Sequence, residues 1–148
     1  MSTGRVVLRA ALVAALVIAL DQLTKAIVRA EIDRGEQIDL FLSLQFVHAR
    51  NFGVAFSLFS GGGPLVVIIA CVALAALLAF FATHLKTRLI WLPTGMLLGG
   101  AAGNLIDRIR IGAVTDFVKF PHFPAFNVAD MCITFGVIAL IWVLEKAK

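Results

Sequence analysis

The segment GGAAGNLIDRIRIGAVTDFVKFPHFPAFNVADMCITFG, residues 99–136, decides how this chain folds, because it links two apolar stretches through a polar connection. It carries Asp116 and Asp130, and Asp130 lies near the start of an apolar stretch long enough to cross a bilayer. A carboxylate at such a position is costly and is by default a functional residue with a partner. We therefore predict that Asp130 acts together with Asp116.

The composition around this segment indicates a membrane protein. Of the 148 residues, 61% are hydrophobic and 15% are charged, whereas a soluble domain is about half apolar and about one quarter charged. The length allows one domain. The net charge of +4 suits a protein beside anionic lipid. Nucleic-acid binding is not expected, because no basic cluster is interleaved with aromatic residues.

The cysteines and histidines predict neither a disulfide nor a metal site. Cys71 and Cys132 both lie inside apolar segments, which is typical of packed small side chains. His48, His84 and His122 lie in three different connections and show no ligand spacing.

Hydrophobic stretches predict four transmembrane helices, at about residues 8–29, 64–83, 89–106 and 127–145. The first stretch resembles a signal peptide, but no small-x-small cleavage site follows it, and the helical pattern continues to about Arg29. In the third stretch Gly95, Gly99 and Gly103 recur at steps of four. They place small residues on one face, where another helix can approach closely.

The polar segments predict structure outside the hydrocarbon layer. Runs rich in β-forming residues at 38–47 and 54–58 flank the segment 48–53 and predict two or three short strands. Asn51 and Gly53 suit a turn with an unusual φ angle, or a plain hairpin turn. Residues 109–126 mix prolines, phenylalanines and charges, as an interfacial layer does.

The predicted fold is a mainly α membrane protein in a single domain, with four transmembrane helices. A small extracytoplasmic β-cradle occupies about residues 31–60, and an interfacial helix or loop occupies about residues 109–126. Basic residues near the N-terminus and in the short 84–88 connection favour cytoplasmic termini.

The two aspartates can meet at the outer rim of the bilayer. If the last helix begins at Asn127, Asp130 lies roughly 4.5 Å along its axis, and Asp116 lies in a segment that returns to the same surface. Two adjacent carboxyl groups share one proton, so that one is an acid and the other a base. Such a pair can activate a water against an amide and then protonate the leaving nitrogen, without a metal or a covalent nucleophile.

Two further polar pairs have helical i, i+4 spacing. Asn104 and Arg108 share a helix face, where they can bind substrate carbonyls or stabilise developing charge. Alternatively, Arg108 is an interfacial anchor that pairs with a neighbouring aspartate or a lipid phosphate. Asp21 and Lys25 either close a transmembrane end or turn a polar face toward the site.

The residues alone leave two functions open. One is an intramembrane acid–base hydrolase, and the other is a small multi-pass transporter or proton-relay protein with functional aspartates. A relay needs ionisable groups staggered through the bilayer, whereas the second and third apolar stretches lack them up to their ends. This favours the hydrolase. A purely structural or assembly subunit would leave the two acids without a purpose.

Five sequence blocks resemble those of the lipoprotein signal peptidases, also called type II signal peptidases or prolipoprotein signal peptidases, and the match covers nearly the whole chain. The blocks are DQLTK at 21–25, NFGVAF at 51–56, GNLIDR at 103–108, VTDF at 114–117 and FNVAD at 126–130. Together, in this order and between four hydrophobic stretches, they are a specific signal.

The resemblance implies an aspartic endopeptidase of the bacterial inner membrane, with its active site near the periplasmic face. It would cleave prolipoproteins before a diacylglyceryl-modified cysteine, in contact with membrane lipid, without a cofactor or a required oligomer. Globomycin-type cyclic peptides would occupy the same groove.

The same resemblance implies roles for individual residues. Asp116 and Asp130 would be catalytic, and the β-cradle would receive the peptide. The residues that would bind substrate or support the dyad are Asn51, Gly53, Asn104, Arg108, Asn127, Asp21 and Lys25. Met131 departs from the family, which often has a small hydroxyl residue there, and makes the surroundings of the dyad less polar.

Overall fold

The structure is a computed structural model that describes residues 2–53 and 62–147. Its helices are α1 (Thr3–Glu31), α2 (Gly62–Thr83), α3 (Trp91–Ile111) and α4 (Val128–Glu145). Its strands are β1 (Gln37–Asp39), β2 (Gln45–Asn51) and β3 (Val114–Lys119). The chain is therefore mainly helical, with one small sheet.

Three helices in the described part of the chain are long and apolar enough to cross a membrane, namely Thr3–Glu31, Pro64–Thr83 and Val128–Glu145. On α1 the side chains that face away from the other helices are large and apolar, as expected beside lipid: Leu8, Leu12, Leu16, Leu20, Leu23 and Ile27 are all exposed. The fourth predicted crossing, at 89–106, falls on α3. This helix has 21 residues but carries several polar ones, and it is not among the three.

The close packing of α1 against α3 depends on glycine. An added Cβ at Gly95 would lie 2.7 Å from the Val13 Cβ, and one at Gly99 would lie 2.7 Å from the Val17 Cβ. The predicted role of these glycines in close helix approach is confirmed. Because α1 and α3 approach so closely, the polar residues near their ends are forced into contact.

Two apolar clusters mark opposite ends of the helical body. One cluster joins the start of α1, the end of α2, the start of α3 and the end of α4, through Val6, Ala10, Phe81, Ile90 and Val143. We call this the connection end, because it contains the 84–90 connection. The other cluster contains Val28, Ile32 and Phe117 and lies beside the sheet. We call this the sheet end.

The sheet is antiparallel in the order β1-β2-β3. The run predicted at 38–47 is not one strand, because a turn with Leu42 and Ser43 at positive φ separates β1 from β2. The segment predicted as an interfacial helix or loop contains β3, which pairs with β2 and places Asp116 opposite Ala49. The prediction missed β3 because its partner lies more than 60 positions earlier in the chain, and local sequence does not encode that pairing.

The turn predicted after β2 is present. Gly53 has φ +78°, and its N–H donates to the Asn51 side-chain oxygen at 2.8 Å, which is an Asx-type turn. The strand predicted at 54–58 lies outside the described residues.

Candidate active site

The two aspartates come from different elements and meet through one asparagine. Asp116 lies on β3 and is 2% exposed, and Asp130 lies in the first turn of α4. Asn127, the N-cap of α4, donates through its side-chain nitrogen to Asp116 Oδ1 at 2.7 Å. Its side-chain oxygen accepts from the Asp130 backbone N–H at 2.9 Å. The helix cap therefore connects the Asp116 carboxyl group to the helix turn that carries Asp130.

Both oxygens of Asp130 accept hydrogen bonds. Oδ1 accepts from the Asn104 side-chain nitrogen at 2.8 Å, and Oδ2 accepts from the Asn127 backbone N–H at 3.3 Å. The second bond completes a capping box. A helix N-terminus also favours negative charge. Hydrogen bonds to both of its oxygens therefore hold the Asp130 carboxyl group in place.

Lys25 determines the orientation of Asn104. Lys25 is fully buried, and its Nζ donates to Asn104 Oδ1 at 2.9 Å. Because an ammonium group can only donate, Asn104 must present its oxygen to Lys25 and its nitrogen to Asp130. The lysine thus fixes, through one amide, which atom faces the Asp130 carboxylate.

Lys25 is itself held by two buried acids. Its Nζ lies 2.8 Å from Asp21 Oδ2 and 3.6 Å from Asp107 Oδ2. The other oxygen of Asp21 accepts the Ala129 backbone N–H at 3.0 Å, which ties α1 to the first turn of α4. The structure therefore places Asp21 and Lys25 beside the site rather than at an isolated helix end.

Four members of this cluster were not predicted from the sequence, namely Asp107, Arg29, Gln22 and Thr115. Arg29 donates to Asp107 at 3.4 Å and to the Thr115 hydroxyl at 3.0 Å. Gln22 donates to Asp107 at 3.3 Å, and the Thr115 N–H donates to the same side chain at 2.9 Å. The position of Arg29 could have been predicted from the sequence. Asp21, Lys25 and Arg29 follow one another at steps of four and therefore share one helix face.

Arg108 has a different environment from Asp107. Its Nη1 reaches only the Asn104 backbone oxygen, at 3.4 Å. It forms no ion pair with the residues that the structure describes, so the predicted anchor pairing with a neighbouring aspartate is absent from that part of the chain. Instead it lines a cavity of about 400 Å³ together with Phe52, Val66 and Ile68. Among the described residues its guanidinium group therefore has no carboxylate partner.

The surroundings of Asp116 alter its acidity. Burial and, to a smaller extent, the charge of the adjacent Asp130 raise the pKa of Asp116 from 3.8 to about 6. Hydrogen bonds from Asn51 and Asn127 and the charge of Lys25 act in the opposite direction. Carboxyl groups perturbed by both burial and a like charge are typical of acid–base sites.

An apolar groove opens beside Asp130. It has a volume of about 480 Å³, and its walls include Phe123, Phe126, Met131 and Phe135. With the cavity at Arg108 on α3, the polar cluster has two neighbouring apolar spaces. This arrangement can hold a water and an amide between two carboxyl groups while apolar parts of a ligand lie on either side.

A family model for signal peptidase (SPase) II matches residues 13–145 of the chain. The chain belongs to the signal peptidase II family. Lipoprotein signal peptidases of Dehalococcoides mccartyi and Moorella thermoacetica are 42% and 41% identical to it, over 82% and 90% of this chain and 79% and 90% of their own lengths.

Solved structures agree with this assignment. A bacterial membrane enzyme determined by the in meso method at 1.9 Å resolution superposes with a TM-score of 0.86 and 33% identity, over 94% of both chains. A second, at 2.3 Å, gives a TM-score of 0.82 and 34% identity over 93% of this chain and 87% of its own.

Membership of the signal peptidase II family decides between the two functions predicted from the sequence. The protein is a bacterial membrane peptidase that acts in lipoprotein processing, and the transporter alternative is not supported.

Proposed function

We propose that this signal peptidase II is an intramembrane aspartic endopeptidase in which Asp116 and Asp130 are the catalytic pair. Its substrates are prolipoproteins, and it cuts before the diacylglyceryl-modified cysteine. The observation that carries the proposal is the bridge formed by Asn127, which bonds to Asp116 and caps the helix turn that holds Asp130.

In this mechanism Asp116 carries the shared proton. Both oxygens of Asp130 accept hydrogen bonds, from Asn104 and from the Asn127 N–H, and this orients the carboxyl group that acts as the base. Burial raises the pKa of Asp116 to about 6, and a substrate that excludes water from the site raises it further.

The reaction then needs only the two carboxyl groups and water. Asp130 removes a proton from the water as its oxygen attacks the scissile carbonyl carbon, while Asp116 donates its proton to the carbonyl oxygen. The tetrahedral intermediate breaks at the C–N bond, and the leaving nitrogen takes the proton held by Asp130. The resulting carboxylic acid returns a proton to Asp116, so no metal or cofactor takes part.

The neighbouring side chains provide substrate binding. Arg108 supplies hydrogen-bond donors for the peptide around the cut, Asn51 supports Asp116 through a hydrogen bond, and Gly53 shapes the turn beside them. The groove along Phe126 and Phe135 suits the apolar parts of a lipid-bearing substrate or of a globomycin-type cyclic peptide.

The proposed placement in the membrane follows from the same features. α3 is the fourth crossing, both termini are cytoplasmic, and the sheet with the dyad lies near the periplasmic face of the inner membrane. A lipidated cysteine is anchored at that depth, so its scissile bond reaches carboxyl groups at the rim. One copy of the chain is sufficient for this chemistry.

The test compares purified variants on a diacylglyceryl-modified precursor peptide. We expect Asp116→Asn and Asp130→Asn each to lower the cleavage rate by at least about 100-fold, because each removes an acid–base group. The control is Glu145→Gln, which neutralises an exposed acid at the connection end, away from the sheet, and should leave the rate unchanged.

Near wild-type turnover by either dyad variant, in protein that still elutes as folded material, would exclude the catalytic pair. The same peptide without its lipid should not be cut. Equal cleavage of both peptides would exclude the proposed dependence on the diacylglyceryl group.

A further inference from the structure

The connection end carries a cleft that the peptidase chemistry does not use. Two cavities of about 620 and 480 Å³ share the residues Lys86, Thr87, Arg88 and Leu89 as a common wall. The first cavity extends to Trp142 and Lys146 at the end of α4. The second extends to Arg9 and Trp91 at the starts of α1 and α3. We call the two together the basic cleft.

Charge is distributed very unevenly between the two ends of the molecule. Of the nine acidic residues, all of which lie in the described part of the chain, only Glu145 lies at the connection end. The described basic residues at that end are Arg5, Arg9, Lys86, Arg88 and Lys146. Within residues 2–53 and 62–147 none of them forms an ion pair. The basic cleft therefore has positive charge that the described residues do not neutralise.

Trp91 supplies a second, independent indication of a ligand. Its indole Nε1 is buried and donates to no acceptor among the described residues, although a buried indole N–H normally finds an acceptor. The Arg9 guanidinium lies 5.5 Å from the centre of the same ring. Because the Nε1 atom has almost no accessible surface, an anionic oxygen from the cleft reaches it only when neighbouring side chains move aside.

The walls of the cleft continue into the lipid-facing surface. Trp142 is 53% exposed, and the outward side chains of α1 next to the cleft, Leu8 and Leu12, are exposed and apolar. Tryptophan is enriched at the level of lipid headgroups, and basic pockets between transmembrane helices bind anionic headgroups. A ligand with a phosphate and attached acyl chains would contact both the basic cleft and the apolar surface beside it. A free phosphate would contact only the basic cleft.

We propose that the basic cleft binds the phosphate headgroup of an anionic phospholipid from the leaflet at the connection end. Lys86 and Arg88 contact the phosphate, the Trp91 N–H donates to one of its oxygens, and the acyl chains lie along the exposed apolar surface beside Trp142. This site is separate from the catalytic pair, which lies at the sheet end.

The test measures lipid binding to the full-length protein in detergent by native mass spectrometry, with phosphatidylglycerol as the probe and phosphatidylcholine as the zwitterionic reference. We expect phosphatidylglycerol to bind the wild type more tightly than phosphatidylcholine. The double variant Lys86→Gln, Arg88→Gln should weaken phosphatidylglycerol binding at least tenfold. The matched double variant Arg34→Gln, Arg110→Gln removes two exposed charges from the sheet end and should leave binding unchanged.

The variant Trp91→Phe distinguishes a specific lipid site from general electrostatic attraction of anionic lipid. It removes the indole N–H without changing the charge of the protein. We expect it to weaken phosphatidylglycerol binding about threefold to tenfold while the melting temperature and precursor cleavage stay near wild type. If it has no effect, or if both charge variants weaken binding equally, the proposal is overturned. If inorganic phosphate displaces phosphatidylglycerol at the same concentrations at which phosphatidylglycerol itself binds, the cleft is a site for a soluble anion instead.

Discussion

Asn127 combines two roles that are normally separate. As the N-cap of α4 it satisfies a backbone N–H, a contact worth about 1 kcal/mol in helix stability, and its amide nitrogen also bonds to Asp116. The orientation of this amide is fixed, because its oxygen must accept from Asp130 N–H. Secondary-structure capping therefore also positions the proposed catalytic carboxyl group.

The buried charge of Asp116 should make the folded state depend on pH. Its pKa is about 6 when folded and near 3.8 when exposed, so between these values the folded protein binds more protons than the unfolded chain. The contribution of Asp116 to the free energy of unfolding is therefore largest below about pH 4. It decreases as the pH rises through 6, by up to about 3 kcal/mol.

We predict that Asp116→Asn lessens this dependence and raises the melting temperature above pH 7, even though it removes activity. Thermal unfolding in detergent between pH 4 and 8 measures it. Asp33→Asn, at an exposed position, should show the wild-type profile. If the melting temperature of Asp116→Asn falls with pH as steeply as that of the wild type, Asp116 is not the group responsible.

At the scale of elements, the α1–α3 contact controls whether the polar cluster assembles. The buried face of α1 changes from apolar residues near its start to Asp21 and Lys25 near its end. Glycines on α3 bring the two backbones together along that face. At Gly103 an added Cβ would lie 2.5 Å from Asp21 Oδ2, so the same close approach that packs the helices also shapes the charged site.

We predict that Gly99→Ala destabilises the protein by about 1–3 kcal/mol, the usual cost of overpacking. Its new methyl group would lie 2.7 Å from the Val17 Cβ and 2.8 Å from the Ala14 backbone oxygen. Chemical unfolding in mixed micelles measures the change. Gly4→Ala on α1 is the control, since nothing lies within 4 Å of the added group, and it should be neutral. Equal stability of the two variants would contradict close packing at Gly99.

Across the whole molecule, most acidic residues lie at the end that holds the proposed active site. The proposed lipid site lies at the opposite, basic end. The sheet end holds eight of the nine acids, including the proposed dyad, and the connection end is strongly basic. Basic residues in short loops remain on the cytoplasmic side. The basic residues of the short connection therefore support the proposed orientation, with the dyad toward the outer face.

We predict that fusions report this orientation. A fluorescent protein fused after Lys148 should be fluorescent, and alkaline phosphatase fused there should be inactive. Alkaline phosphatase inserted in the turn at Leu42 should be active, because that turn lies at the sheet end. Phosphatase activity at the C-terminus together with inactivity at Leu42 would show the opposite orientation.

The sequence by itself determined the features that depend on neighbouring residues. These are the apolar helices, the glycine face of α3, the start of α4 near Asn127, the turn at Gly53 and the motif blocks that identify the family. Each feature depends on residues that are close together in the sequence, through the spacing of apolar residues, the local backbone conformation or the residues at a helix start. The sequence also singled out Asp116 and Asp130, because a carboxylate beside an apolar segment is costly wherever the chain folds.

Only the tertiary structure decided what these residues contact. The pairing of β3 with β2, the positions of Arg29 and Thr115, and the chain of contacts from Lys25 through Asn104 to Asp130 join residues far apart in sequence. The same holds for the basic cleft, whose walls come from the start of α1, the connection before α3 and the end of α4. Such contacts depend on how closely whole helices pack, and local sequence does not encode that distance.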